Sequence, residues 1–293
     1  MKQLVIISGK GGTGKTIISA SFASLAKSKV MADCDVDAAN LYLLLKPKST
    51  KSHQFSGGKQ ARINQEECTS CGACIEVCRF DAISKTNSED IVIDPLSCEG
   101  CAVCSHICPP NAIKMEAAIS GEWFVSKTSY GPFVHARLGI GEESSGKLVS
   151  EVRKNAKDIA EKENLEYVII DGPPGIGCPV IASLSGTDLA LIVTEPSPSG
   201  IHDMKRVIET ARHFNTKTAC CINKFDINLQ NTAKIENWCR ENSIPLLGKI
   251  PFDPKVTEAM VRSIPMVEYG ESPTSGEIKK IWQKIHNILS LET

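Results

Sequence analysis

No stretch of this sequence approaches the about 20 consecutive apolar residues that a membrane-spanning helix requires. A spanning helix is therefore not expected. Charge of one sign is lacking too: the formal net charge is −1. Nothing in that balance calls for nucleic acid or an anionic membrane as the main partner. A secretory leader is absent from the pattern. Leu4-Val5-Ile6-Ile7 is a short apolar run preceded only by Lys2, and a glycine-rich loop follows it instead of a cleavage site. A cytoplasmic protein is the expectation. Hydrophobic residues make up 42% and charged residues 23% of 293 positions, which fits a soluble globular chain of roughly two domains.

Cysteine, by contrast, is abundant. There are 13, and in a cytoplasmic chain clustered cysteines are more often metal ligands than disulfides. Eight of them form an internal repeat. Cys68, Cys71, Cys74 and Cys78 recur as Cys98, Cys101, Cys104 and Cys108, and the halves close alike in Asp81-Ala82-Ile83 and Asn111-Ala112-Ile113.

Around the repeat the chain alternates strand and helix patterns. Residues 3–8 read as a buried parallel strand, 9–14 as a glycine-rich loop, about 15–29 as a helix, and 30–35 as a second strand ending in acidic residues. Residues 46–66 are polar and break the rhythm. It resumes with a hairpin over 123–138 around Tyr130-Gly131-Pro132, a helix over about 146–163, and a buried strand at 167–171. Further strands fit 188–194, 217–223 and 246–250. A last helix over about 275–290 has one apolar face of Ile278, Ile281, Trp282, Ile285, Ile288 and Leu289. The predicted fold is α/β, a doubly wound and mostly parallel sheet, with a small α+β cysteine module inserted. The expected boundaries are 1–58 and 119–293 for the split domain and 59–118 for the insert, with repeats at 59–88 and 89–118.

Gly9-Lys10-Gly11-Gly12-Thr13-Gly14-Lys15-Thr16 fits the phosphate-binding pattern G-x-x-x-x-G-K-[ST] between a strand and a helix. Glycines let backbone N–H groups face phosphates, and the helix N-terminus favours an anion. Lys15 is assigned to the β- and γ-phosphates, and the Thr16 hydroxyl to Mg²⁺. Asp171, at the end of a hydrophobic strand, is the second Mg²⁺ residue, and Gly172-Pro173-Pro174-Gly175 after it suits a γ-phosphate sensor. Asp33, Asp35 and Asp37 follow the second strand; one of them is placed to orient the attacking water, and at least one serves the turn. Gly141–Lys147 reads as a loop and N-cap before a helix, or a second approach to phosphate.

Lys10–Thr16, Asp35-Val36-Asp37 and Asp171–Gly175 together resemble the MinD, Mrp and nitrogenase-iron-protein class of P-loop ATPases, over nearly all of the chain outside the insert. The resemblance implies ATP, Mg²⁺ and an ATP-dependent homodimer. It implies that Lys10 reaches the partner's nucleotide and that Asp35 activates water. It also implies that Asn223, with Pro251 and Asp253 of the Ile250–Pro254 turn, contacts adenine.

C-x₂-C-x₂-C-x₃-C occurs twice and resembles bacterial-type ferredoxins. Zinc sites favour paired C-x₂-C knuckles instead. The resemblance implies two [4Fe–4S] clusters with crossed fourth ligands: Cys68, Cys71, Cys74 and Cys108 on the first, and Cys78, Cys98, Cys101 and Cys104 on the second. Pro109 follows the second run as such modules have it; Arg79 stands at the corresponding place in the first. Cys34, Cys220, Cys221 and Cys239 fit core positions. Cys178 lies seven residues after Asp171, where the nitrogenase iron protein carries a ligand of its bridging cluster. No second cysteine falls within 130–146, so a shared site would take one Cys178 from each subunit.

Three tasks follow. The first is an ATPase that couples nucleotide state to electron transfer or iron–sulfur handling, with a redox partner or an iron–sulfur acceptor protein. The second is a Mrp-like cluster carrier using Cys178. The third is a MinD-like positioning ATPase, suggested by the amphipathic C-terminal helix.

Overall fold

The computed structural model describes residues 1–139 and 145–291. The segment 140–144, with most of the glycine-rich stretch before Ser145, lies outside the described residues. The chain divides into two compact units. The first comprises Met1–His53, Trp123–Arg137 and the chain from Ser145 onward; the second is centred on Gln54–Glu122.

The chain runs β1 (Lys2–Ser8), α1 (Lys15–Leu25), β2 (Lys29–Asp33), α2 (Leu41–Leu45) and β3 (Ser49–Ile63). Next come α3 (Ala73–Val77), β4 (Ile83–Lys85), β5 (Ile91–Ile93), α4 (Val103–Ile107), β6 (Ile113–Thr128) and β7 (Gly131–Leu138). Then follow α5 (Ser145–Lys162), β8 (Tyr167–Pro174), α6 (Cys178–Leu184), β9 (Leu189–Thr194), α7 (Pro198–His213) and β10 (Lys217–Asn223). The chain closes with α8 (Leu229–Glu241), β11 (Leu246–Ile250), α9 (Lys255–Val261), α10 (Met266–Tyr269) and α11 (Pro273–Ser290).

One sheet has the order β11-β10-β9-β1-β8-β2-β7-β6-β3. The pairs from β11 through β7 are parallel. Their strands are apolar runs because helices cover both faces; β1, β2, β8 and β9 are buried almost throughout. Crossover helices are what parallel neighbours require. β1 leads across β8 to β2, and β8 leads back across β1 to β9, so the crossovers from this adjacent pair run toward opposite sides. That is where an open α/β sheet forms a crevice beyond its strand ends. The core on one face joins Phe22 of α1 to Ile278, Ile281, Trp282, Ile285 and Leu289 of α11, with Phe22 and Trp282 rings 5.2 Å apart.

The polar stretch 46–66, which breaks the sequence pattern, holds a 15-residue strand, β3. It is the sheet's terminal strand, exposed along most of its length, so no apolar alternation marks it. β3 and its neighbour β6 each belong to both units; the chain enters and leaves the second unit along strands. Within that unit, α3 and α4 stand 30 residues apart, and β4 pairs antiparallel with β5.

Candidate functional site

The loop between β1 and α1 is shaped by glycines where no other residue fits. Gly14 has φ +95°, and a Cβ there would meet Asn223 Nδ2 at 2.4 Å. Gly9 approaches α7 so closely that a Cβ would lie 2.3 Å from Asp203 Cβ. Ser8 Oγ donates to the Lys10 carbonyl at 2.6 Å. From β10, Asn223 Nδ2 donates to the Thr13 carbonyl at 2.7 Å, and Lys224 Nζ to the Gly12 carbonyl at 3.2 Å. α1 starts without a side-chain cap and without an acidic residue in its first turn. Its first N–H groups are thus left for an anion.

These residues open on a cavity of about 770 Å³. Gly11, Gly12, Gly14, Lys15 and Thr16 line one part, with Asp35 and Asp37; Asn223, Pro251 and Asp253 line another, with Phe252, the aromatic residue of this lining. Lys15 is buried. Asp171 stands behind Thr16, is buried, and accepts a hydrogen bond from Ser19 Oγ at 2.8 Å. Burial pushes its carboxyl up to about 6, opposed by Lys15 and by hydrogen bonds from Ser19 and Thr16. A divalent cation beside Thr16 would hold that carboxylate charged.

The three aspartates after β2 divide their work. Asp33 is fully buried and accepts from the N–H groups of Asp35, at 3.1 Å, and Leu41, at 3.2 Å. It ties the turn, and burial with Asp171 nearby raises its carboxyl well above the usual range. Asp35 is half-buried and lines the cavity; burial raises it, and Lys15 draws it back. Asp37 is exposed at the same rim.

Lys10 faces away from this lining. Its Nζ lies 2.6 Å from Glu195 Oε1 and donates to Ser197 Oγ and Ser199 Oγ at 3.0 and 3.1 Å. Glu195 also meets Lys224 at 3.4 Å. Burial disfavours its charge, yet the two lysines hold it below the usual carboxylate range. Glu195 and Lys224 were not singled out from the sequence. Lys224 is adjacent to Asn223, but nothing in a linear reading joins Lys10 to Glu195.

In the second unit the two cysteine runs fold as repeats. Residues 70 and 100, 72 and 102, and 81 and 111 share positive φ: Ser70 and Gly100, Gly72 and Ala102, Asp81 and Asn111. Cys68, Cys71, Cys74 and Cys108 line one cavity, and Cys78, Cys98, Cys101 and Cys104 line another. Cys74 and Cys104, the innermost of each set, are buried, and burial raises both thiols. The Ser70 N–H donates to Cys68 Sγ at 3.4 Å. Among the described residues no group of three His, Cys, Asp or Glu side chains closes to the spacing of a single metal ion. Each cavity is thus lined by four cysteines, a donor set that a polynuclear cluster would take.

Cys178 is exposed at the first position of α6, and the backbone of Gly146 approaches it; a Cβ there would lie 3.2 Å from Cys178 Cβ. Cys34, Cys220, Cys221 and Cys239 are buried.

A family model for the CobQ/CobB/MinD/ParA nucleotide binding domain matches residues 4–266. An uncharacterised protein of Methanocaldococcus jannaschii is 35% identical over 293 residues, covering 98% of this chain and 97% of its own. An iron–sulfur cluster carrier protein of Pyrococcus abyssi is 28% identical over 158 residues, 49% of this chain and 53% of that one. The fold is similar to the septum site-determining protein MinD of Pyrococcus horikoshii, solved with Mg-ADP. The TM-score is 0.60 at 18% identity, over 100% of this chain and 98% of that one. With the glycine loop, Lys15, Thr16 and Asp171 assembled at the β1 crevice, this chain belongs to the CobQ/CobB/MinD/ParA nucleotide-binding domain family.

Proposed function

We propose that this protein is a Mg²⁺-dependent ATPase carrying two [4Fe–4S] clusters, and that it couples nucleotide state to one-electron transfer or iron–sulfur handling. The observation that carries the reading is the pair of cavities, each lined by four cysteines in the crossed combination that the repeat implies. The clusters, when bound, would supply single-electron exchange.

The chain's own residues account for the nucleotide half. Loop N–H groups and Lys15 hold the phosphates; Thr16 and Asp171 hold Mg²⁺. Asp35 is the residue at the rim suited to orient water. Asn223, Pro251 and Asp253 line the part of the cavity where the base would sit. Lys10 serves a second copy of the chain. To do so it must leave Glu195, so nucleotide-driven pairing and rupture of that ion pair are one event. The switch segment after β2 leads through α2 into β3, which carries the chain to the cysteine repeats. A redox partner or an acceptor protein completes the task in the cytoplasm.

A second reading is favoured by two observations. One relative is named an iron–sulfur cluster carrier, and Cys178 is exposed at the start of α6. A cluster shared by Cys178 of two copies would be transferable while the eight-cysteine sites stay loaded. The helix that suggests a positioning role on a membrane does not serve one, because the apolar face of α11 is buried in the core.

The test is anaerobic purification with iron and sulfide counts and EPR, followed by cluster oxidation by an added acceptor with ATP, with ADP and without nucleotide. Different rates are expected; identical rates in all three would sink the coupling. Cys178→Ala with unchanged iron transfer to an apo-acceptor would remove the carrier reading.

A further inference from the structure

The turn that leaves β10 bonds to two separate parts of the nucleotide cavity's lining. Its first residues, Asn223 and Lys224, brace the phosphate loop through the Thr13 and Gly12 carbonyls. Asp226 reaches the other part: its Oδ1 accepts from the Phe252 N–H at 2.8 Å. The turn is itself held in place. Lys224 has φ +52°, the Ile227 N–H donates to the Lys224 carbonyl at 3.2 Å, and Thr232 Oγ1 of α8 donates to the Phe225 carbonyl at 2.6 Å. Phe252 is 56% exposed, so side-chain packing does little to fix the turn Pro251–Asp253. Asp226 is exposed and outside the cavity lining, so its bond to Phe252 is not a by-product of a packed core.

We infer that Asp226 is a positioning residue for the base: by holding the Phe252 N–H it fixes the turn Pro251–Asp253 relative to the phosphate loop, and so sets where a base is held once the phosphates are bound. The inference rests on the nucleotide reading above. Asp226 touches no ligand. It acts by ordering the turn in advance, so that less conformational freedom is lost when the base arrives. One short segment, 223–226, thereby fastens both ends of the site. A ligand with phosphates and no base uses only the Asn223 and Lys224 end. A carboxylate that reads guanine directly would offer its two oxygens to N1–H and N2–H; at Asp226 one oxygen is already taken by Phe252.

The test is calorimetric titration of the anaerobically purified full chain with Mg·ADP and, separately, with Mg·pyrophosphate, which share their phosphates and differ by the nucleoside. Asp226→Ala weakens Mg·ADP about five-fold and Mg·pyrophosphate less than about two-fold. Asp226→Asn, whose amide oxygen still accepts from the Phe252 N–H, binds Mg·ADP within about two-fold of wild type. A general loss of structure would lower both ligands alike, so the ratio of the two affinities isolates positioning of the base. Equal loss for both ligands in Asp226→Ala, or unchanged ADP binding, overturns the role of Asp226. So does a wild type that prefers Mg·GDP and loses that preference in Asp226→Asn, because the carboxylate would then read guanine itself. A wild type that binds neither ligand, or binds ADP no tighter than pyrophosphate, overturns the nucleotide reading beneath it.

Discussion

Asp171 is a buried carboxylate and, in the proposed function, a residue of the Mg²⁺ site. Its folded value is about 6, above the about 4 of an unfolded aspartate. The native chain therefore holds the extra proton. The contribution of Asp171 to nucleotide-free stability is greatest below about pH 4, falls as pH rises to about 6, and is level above that. Asp171→Asn is expected to stabilise the apo protein by about 2–3 kcal/mol above pH 6 and much less at pH 4, while weakening Mg²⁺-nucleotide binding. Urea unfolding across that range measures it; a gain that does not vary with pH would contradict the assignment. Gly100 poses a residue-scale question of another kind. Its counterpart Ser70 adopts φ +52° without difficulty, but at Gly100 a Cβ would lie 2.0 Å from the Lys59 carbonyl oxygen. Gly100→Ser should lose the second cluster. Gly72→Ala should keep both, at a cost of about 1–2 kcal/mol, because its φ of +79° is matched by Ala102 and no atom lies within 4 Å. Iron per chain separates the two outcomes.

At the scale of elements, α11 shows what an amphipathic pattern can and cannot tell. Its apolar spacing was readable, but whether that face meets a core or a bilayer was not, since both demand the same residues. The structure answers through Gly248 of β11, where a Cβ would lie 2.6 Å from Ile281 Cγ1. Ile285→Ala is expected to destabilise the fold by about 2–5 kcal/mol in chemical denaturation. Liposome sedimentation with ATP should leave the protein in the supernatant. The parallel strands were legible because burial on both faces demands unbroken apolar runs such as Leu4–Ile7 and Val168–Ile170. The long strand β3 was not, because an exposed strand at the sheet's end needs neither apolar alternation nor a dense set of branched residues. The glycine loop was legible as a motif. The side chain that holds Lys10 was not, since Glu195 is 185 residues away and enters only through the fold.

For the whole molecule, the proposed function turns on the meeting of two copies. Lys10→Ala should abolish Mg·ATP-dependent pairing in light scattering. Nucleotide affinity of the single chain should change by no more than about five-fold, the scale of a partly exposed ion pair. Loss of nucleotide binding altogether would mean that Lys10 serves its own site. The route of the chain has a further consequence. Met31 of β2 pairs with Phe133 of β7, so the sheet cannot extend past β2 until the intervening segment has returned. Closing a flexible loop of about 100 residues costs on the order of 4 kcal/mol. Cluster ligands that tie Cys68 to Cys108 would shorten that loop before the sheet closes. In an iron-starved cell the same chain would linger with β2 as an unpaired edge, open to aggregation and proteolysis. The supply of iron and sulfide would then set how much of this ATPase survives synthesis, before any nucleotide is bound.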